Sequence, residues 1–473
     1  MYLQRVVNNI FNQMFQLILS IFCSIVTYAL CSFLSEKVTI VELKLLLKFK
    51  IFLNIIKLLV GCILIEIGDV NHMNILIVNY IGNNVTSAIR SFVRLGHSAD
   101  IAIPSKKLSL GIRKYYKSKY LGKMYIINSP TIAPEKFKND LLKILSSNKY
   151  DSILPFGVVS TISIARIKNE LSKYTNIGIA DYNIVELIHD KEKLQLLLND
   201  NGFKVPKVYE YESIEDLKNI QIKFPVVIKI RKGCGVDKGV RYAENFEELE
   251  CNYKDLSSKT TLNSDIEDFF KPMIQEYIPG KIHDGLFLFN KGKLKSAMTQ
   301  IREVTYPISG GVGVNNITTY EPELIKYGKE ILKFVKWHGP CQVEVKKDER
   351  DGGYKLIEIN PKLWGTLDLS IKAGINFALK SVEIAVNGDT EEEYNYKIGL
   401  KYKWLFPLEI YTIYQDKGNR WKRIKKLFDI FKDNVLTEFD ITDLTPFIFN
   451  IINTFYNILF HREKILPKGR EFH

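Results

Sequence analysis

Glu344, Glu358 and Asn360 have the residue types and the spacing of a site for a hard cation. They flank a turn-forming stretch, Asp348-Glu349-Arg350-Asp351-Gly352-Gly353, which separates Cys341-Gln342-Val343-Glu344-Val345 from Lys355-Leu356-Ile357-Glu358-Ile359-Asn360. A β-hairpin centred on Asp351 places position 344 opposite position 358. Side chains alternate along a strand, so Glu344, Glu358 and Asn360 share one face, while Val343, Val345, Ile357 and Ile359 line the other. Like charges directly opposite each other destabilise a sheet unless something cationic sits between them. Two carboxylates and an amide oxygen are the ligands Mg²⁺ accepts when it also holds phosphates. Taken alone, the hairpin reads equally well as a solvated one with a polar outer face.

A second constellation supports the phosphate reading. Phe224-Pro225-Val226-Val227-Ile228-Lys229-Ile230 is an apolar strand with one lysine, and a buried lysine is costly unless its charge is matched. The loop after it, Arg231-Lys232-Gly233-Cys234-Gly235-Val236-Asp237-Lys238-Gly239, has the glycines that let backbone N–H groups approach a phosphate. Further on, Met273-Ile274-Gln275-Glu276-Tyr277-Ile278-Pro279-Gly280 suits an adenine edge paired with main-chain groups, or a linker between two lobes. Arg302, ahead of the flexible stretch Ser309-Gly310-Gly311-Val312-Gly313, suits an anionic or acyl-phosphate substrate.

The elements that must carry these groups follow from periodicity. Strand 75–79, helix 86–95 and strand 100–103 make a Rossmann-like start without GxGxxG, so a dinucleotide site is unsupported. Strands at 152–155 and 177–180 and a helix through Arg166 continue the α/β alternation to about residue 185. Helix 190–201 ends at Asn201-Gly202, a C-cap pair. Strands, glycine loops and hairpins then run to about 388, including a hairpin at 286–298, and the tail returns to helical patterns.

At 473 residues the chain is long enough for two or three domains. The net charge of +13 is spread along it with no compact nucleic-acid motif, which excludes a nucleic-acid partner. Six cysteines without a CxxC pair argue against zinc and disulfides and for a reducing, cytoplasmic setting. Residues 1–72 stand apart, with apolar runs at 10–34 and 51–65 around a basic patch. They read either as two membrane helices with a cytoplasmic loop or as sequence ahead of a true start at Met73. Membrane association, as an anchor facing the cytoplasm, is expected only if residues 1–72 are part of the protein.

A strand lysine, a glycine loop, a Gln-Glu-Tyr-Ile segment, an arginine and then Glu…Glu-x-Asn occur in that order. The order resembles the ATP-grasp superfamily over most of residues 73–388. It is most similar to the single-copy, carbamoyl-phosphate-synthase-like ligases, through Trp337-His338-Gly339-Pro340 and Ile357-Glu358-Ile359-Asn360-Pro361-Lys362-Leu363-Trp364-Gly365. The fold this implies is mixed α/β and α+β. It comprises a Rossmann-like pre-ATP-grasp domain (73–185), a two-lobed ATP-grasp domain (186–388) and a basic, aromatic helical segment (389–473).

The resemblance also implies roles. Lys191 and Lys229 would contact the nucleotide, the loop with Gly233 and Gly235 would close over the phosphates, and Gln275, Glu276, Tyr277 and Ile278 would form the adenine hinge. His283 stands where a ribose-binding carboxylate is usual, with Asp284 beside it. Glu344, Glu358 and Asn360 would hold Mg²⁺ or Mn²⁺. Arg302 would stabilise the transferring phosphoryl group, and Lys362 replaces the usual arginine after Asn-Pro, a point charge in place of a fork. The implied reaction joins a small carboxylate, activated by ATP as an acyl phosphate, to an amine or ammonia, with a homodimer as the expected assembly. A non-catalytic ATP-binding regulator and a membrane-tethered ligase acting on a lipid or envelope substrate are the alternatives. His338, Trp337 and Trp364 read as packing residues, and Leu444 onward as an apolar helix packed on the core.

Overall fold

The computed structural model describes residues 72–105, 117–232, 239–260, 271–307, 311–416, 418–432, 434–461 and 465. The expected N-terminal membrane helices, Gly233, Cys234 and Gly235, and Ser309 and Gly310 lie outside the described residues. Among the described residues, no helix is long and apolar enough to cross a membrane.

The chain opens with four parallel strands: β1 (Asn74–Val78), β2 (Ser98–Ser105), β3 (Met124–Asn128) and β4 (Ser152–Pro155). Their order is β3-β2-β1-β4. Ile75, Leu76, Ile77 and Val78 of β1 are all buried, as befits a parallel strand covered on both faces. The strand expected at 177–180 does not form; the chain there adds only an isolated bridge between Ser152 and Asn176.

A smaller antiparallel sheet follows: β5 (Val208–Tyr209), β6 (Val226–Lys229), β7 (Val240–Ala243) and β8 (Met273–Glu276), in the order β5-β8-β6-β7. The helix Phe246–Thr260 covers it, with Leu249 and Leu256 packed on Val226, Ile228 and Ile274.

The large sheet contains β9 (Ile282–Asn290), β10 (Lys293–Tyr306), β11 (Val312–Thr319), β12 (Gly339–Lys347), β13 (Tyr354–Asn360), β14 (Lys401–Lys403) and β15 (Val435–Thr437). Its order is β13-β12-β9-β10-β11-β14-β15, so β13 is an edge strand. Alternation sorts its residues between two cores. Phe287, Phe289, Val343, Val345 and Ile359 join one, and Leu286, Leu288 and Met298 join the other. Trp337 and Trp364 are core residues, and His338 Nδ1 accepts from the Lys291 N–H at 3.2 Å, a packing role as expected.

The expected boundary at 388 does not close the large sheet. β14 pairs with β11 through Asn316↔Tyr402, so the segment after 388 contributes strands as well as helices. The described residues fall into two units, one holding Asn419–Val435 and the other holding the rest. The helix Arg420–Leu427 of the first carries the basic run RWKRIKKL. In the second, the helix Leu444–Phe460 buries Leu444, Phe447 and Ile458, but leaves Ile452 and Phe460 exposed, so only one face of this apolar helix packs as expected.

Candidate functional site

The β12–β13 hairpin places Glu344 opposite Glu358, and Glu344 is also opposite Asp284 on β9. Asp284 in turn faces Gln300 on β10. Four strands therefore present Glu358, Glu344, Asp284 and Gln300 as one row on one face. Asn360, two residues beyond Glu358, closes the pair: its Nδ2 donates to Glu344 Oε1 and to Glu358 Oε1, both at 2.9 Å.

Each carboxylate has its own cation, which is what a like-charge pair requires. Arg302 Nη2 lies 2.7 Å from Glu344 Oε1, and Lys191 Nζ lies 3.6 Å from Glu358 Oε2. Arg302 is itself clamped by Asp284, with Nε at 3.0 Å and Nη2 at 2.7 Å, while its Nη1 donates to the Gly311 carbonyl at 2.7 Å. Burial alone would push Glu358 up. The charges of Lys191 and Lys229 and the Asn360 amide overcome that and hold it below the usual carboxylate range. Glu344 goes the other way: burial raises it, Arg302 opposes, and Glu358 and Asp284 add to the rise. The two acids are thus electrostatically distinct.

Lys229, at the end of β6, is buried, and its Nζ donates to the Ile357 carbonyl at 3.1 Å. Burial lowers its pKa to about 8, with Lys191 adding to the fall and Glu358 and Glu344 opposing it. Lys191 begins the helix Lys191–Asp200, which Asp190 caps by accepting from Lys193 N–H. Asp190 also pairs with Arg231 at 2.9 Å, and Lys191 N–H donates to the Arg231 carbonyl. The start of this helix is thereby tied to the chain just ahead of the glycine loop, whose far end returns through Ile230 N–H to Gly239 O at 3.0 Å.

The hinge segment is engaged through side chains and backbone. Gln275 is buried and donates to Gln195 Oε1. Glu276 accepts from Lys207 N–H at 3.1 Å and from Arg350 at 2.7 Å. Tyr277 meets Tyr242 edge-on, with Lys346 over its ring, and the Ile278 carbonyl accepts from Lys346 Nζ at 2.8 Å. Lys362 N–H donates to the Asn360 carbonyl, and its half-buried side chain makes no ion pair among the described residues.

His283 requires a correction. It pairs with Val345, one residue out of phase with Glu344 and Asp284, and so faces the opposite side of the sheet. Its Nδ1 is 2.8 Å from Glu321 Oε2, and Tyr354 meets its ring edge-on. It is not brought to the site. Asp284, the other ribose candidate, is on the correct face but is taken by Arg302 and Gln300.

Two further residues belong to this neighbourhood. Asn316 lies opposite Arg302 in the β10–β11 register, is 1% exposed, and among the described residues has no hydrogen-bond partner for Nδ2 or Oδ1. A Cβ on Gly313 would lie 2.2 Å from Asn316 Oδ1, so the glycine leaves room for this amide. Gln195 is the other, buried against β13. Its only signal in the sequence is its place one turn after Lys191; that of Asn316 is the glycine three residues before it.

Among the described residues no three His, Cys, Asp or Glu side chains cluster as a metal site. The candidate set is two carboxylates and an amide, all oxygen donors, which fits Mg²⁺ or Mn²⁺ bound together with phosphates.

Known proteins share parts of this sequence and its fold. Residues 287–406 match the family "ATP-grasp in the biosynthetic pathway with Ter operon". A carbamoyl-phosphate synthase of Methanobrevibacter smithii is 28% identical over 113 residues, covering 23% of this chain and 30% of that protein, so the match spans under a third of the relative. Among solved structures, the biotin carboxylase of Campylobacter jejuni superposes with a TM-score of 0.56 at 15% identity, over 69% of this chain and 74% of that one. The L-amino acid ligase of Bacillus licheniformis gives 0.53 at 16% identity, over 66% and 74%. N5-carboxyaminoimidazole synthetase of Staphylococcus aureus, complexed with ADP, gives 0.53 at 17%, over 71% and 82%. The fold is that of the ATP-grasp superfamily.

Proposed function

We propose that the protein is an ATP- and Mg²⁺-dependent ligase that activates a carboxylate as an acyl phosphate and joins it to an amine or ammonia, releasing ADP and phosphate. The observation that carries this reading is the convergence of Glu344, Glu358 and Asn360 on one face, with Lys191, Lys229 and Arg302 around them.

Glu344, Glu358 and the Asn360 amide oxygen would hold the metal. When bound, Mg²⁺ neutralises charge on the transferring phosphates. Lys191 and Lys229 supply positive charge on the side of Glu358, where the phosphates would lie. Arg302, immobilised by Asp284, puts a guanidinium beside Glu344, and Asn316 next to it offers an N–H donor to a carboxylate oxygen. The carboxylate attacks the γ-phosphorus and the bond to the ADP oxygen breaks. The amine nitrogen then attacks the acyl carbon, the C–O bond to phosphate breaks, and the amine proton passes to solvent. The protein contributes position and charge, and no acid–base pair is required.

Arg302 and Asn316 beside the metal end support catalysis over a purely regulatory ATP site, which needs only nucleotide contacts. The test is Mg-ATP turnover with hydroxylamine across a panel of carboxylates. Formation of a hydroxamate with ADP agrees with the reading. Production of AMP would reject the acyl-phosphate route, and ATP binding without turnover under any condition would favour a regulator.

A further inference from the structure

The β12–β13 hairpin contains one residue more than a regular ladder allows. On the turn side the pairs are Val345↔Leu356, Lys346↔Lys355 and Lys347↔Tyr354; past a register shift they become Glu344↔Glu358, Val343↔Ile359 and Gln342↔Asn360. Ile357 is the extra residue. Continuing the turn-side register would pair Glu344 with Ile357 and Val343 with Glu358. That would send Glu358 to the apolar face with Val343 and Val345. The bulge turns Glu358 onto the face of Glu344.

A bulge disrupts its ladder locally and needs other partners for the groups it displaces. β13 is an edge strand, so those partners must come from outside the sheet. In a regular strand consecutive carbonyls point to opposite edges. Here the carbonyls of Leu356 and Ile357, consecutive residues, both accept from Gln195 Nε2 at 3.2 Å. Lys229 Nζ also donates to the Ile357 carbonyl, at 3.1 Å. Gln195 is 1% exposed and sits one helical turn after Lys191, so both project from one face of the helix Lys191–Asp200. Its Oε1 accepts from Gln275 Nε2, on the strand that leads into the hinge.

We propose that Gln195 is a positioning residue for the metal end of the site: its amide fork recognises the two bulge carbonyls and so holds Glu358 on the face of Glu344 and Asn360. The role rests on the ligase reading above. Through Gln275 the same amide joins the hinge strand to the metal strand, so the two ends of the nucleotide site share one buried chain of hydrogen bonds.

Gln195→Met keeps the length and packing of the side chain and removes the fork. Two measurements separate the outcomes. Hydrogen exchange of the peptide spanning 354–360 needs no ligand; the variant exchanges it faster than the parent, with other sheet peptides unchanged. Titration with ADP, with Mg²⁺ and with EDTA, isolates the metal-dependent gain in affinity. Gln195→Met loses about tenfold of that gain while the affinity in EDTA stays within about twofold. Gln195→Leu, which also removes both carbonyl bonds with an apolar side chain of similar volume, serves if the first variant does not fold. Unchanged exchange at 354–360, or an intact Mg²⁺-dependent gain in both variants, overturns the positioning role. A parent protein that shows no Mg²⁺-dependent gain overturns the ligase reading instead, and the exchange result still decides whether Gln195 holds the bulge.

Discussion

On one face of β9, β12 and β13, Asp284, Glu344 and Glu358 stand in a row with Arg302, Lys191 and Asn360. On the other face, one residue along, His283 is enclosed by Glu321 and Tyr354. Both clusters hold partly buried carboxylates against hydrogen-bond donors, yet they are built differently. Glu321 receives Thr319 Oγ1, His283 Nδ1 and the Tyr354 hydroxyl, all from the sheet or its immediate flank. These donors outweigh the rise that burial would cause and hold its pKa down. That set is closed and braces the sheet. The acids of the first face are matched by cations from three separate elements: β10, the helix Lys191–Asp200 and β6. Such a set is assembled only when the lobes come together, and its electrostatics are unequal, with Glu344 raised and Glu358 lowered. Similar residues make a brace where the fold satisfies them locally and a site where it does not.

The strongest way to break this comparison is Glu358→Gln. Turnover is expected to fall by roughly a hundredfold or more, because the variant removes charge where phosphates and metal meet. Its melting temperature should fall as well, because Lys191 and Lys229 hold Glu358 ionised and its loss leaves those two cations unmatched. Asn316→Leu comes next. An unpaired buried amide costs about 1–3 kcal/mol, so the apolar isostere should leave stability unchanged or raise it while turnover falls by about tenfold. A clear loss of stability would make Asn316 part of the brace.

Lys229 gives a pH test. Its ammonium is disfavoured in the folded protein, with a pKa of about 8, whereas bound phosphate favours the charged form. Nucleotide affinity should therefore fall as pH rises from about 7 to about 9, and Lys229→Arg, charged throughout, should flatten the profile. A parent profile that is already flat would detach Lys229 from the phosphates.

The smallest functional effect is expected on the reverse face. Glu321→Gln should cost about 1–3 kcal/mol of stability and leave Mg²⁺-dependent nucleotide affinity intact. The pKa of Glu321 is lowered in the folded state, so its contribution is present above the unfolded carboxylate pKa and is lost as pH falls through the folded value. The variant should accordingly show a shallower loss of stability in acid, read from melting temperature against pH.

The pairing of Glu344 with Glu358 was legible because both lie in strands of strict alternation on either side of a turn. The bulge between them was not. It is stabilised by Gln195 and Lys229, 161 and 128 residues away from the carbonyls they reach, and nothing in the hairpin itself marks it. A regular hairpin centred on Asp351 reaches the same site pair, but misplaces Ile357 and all three turn-side pairs. Position along the chain alone does not separate His283 from Asp284; strand phase does, because Asp284 shares the phase of Glu344 and His283 does not. The extension of the sheet past 388 was not legible either, because β14 is only three residues long and carries no strand signature of its own.

The central claim is that Glu344, Glu358 and Asn360 hold a divalent cation on the nucleotide. Mn²⁺ binding, followed by electron paramagnetic resonance in the presence of ADP, tests it most directly in the parent, Glu358→Gln and His283→Ala. Tight Mn²⁺ binding should be present in the parent, lost in Glu358→Gln and retained in His283→Ala. Retention in Glu358→Gln, or loss only in His283→Ala, would contradict the account.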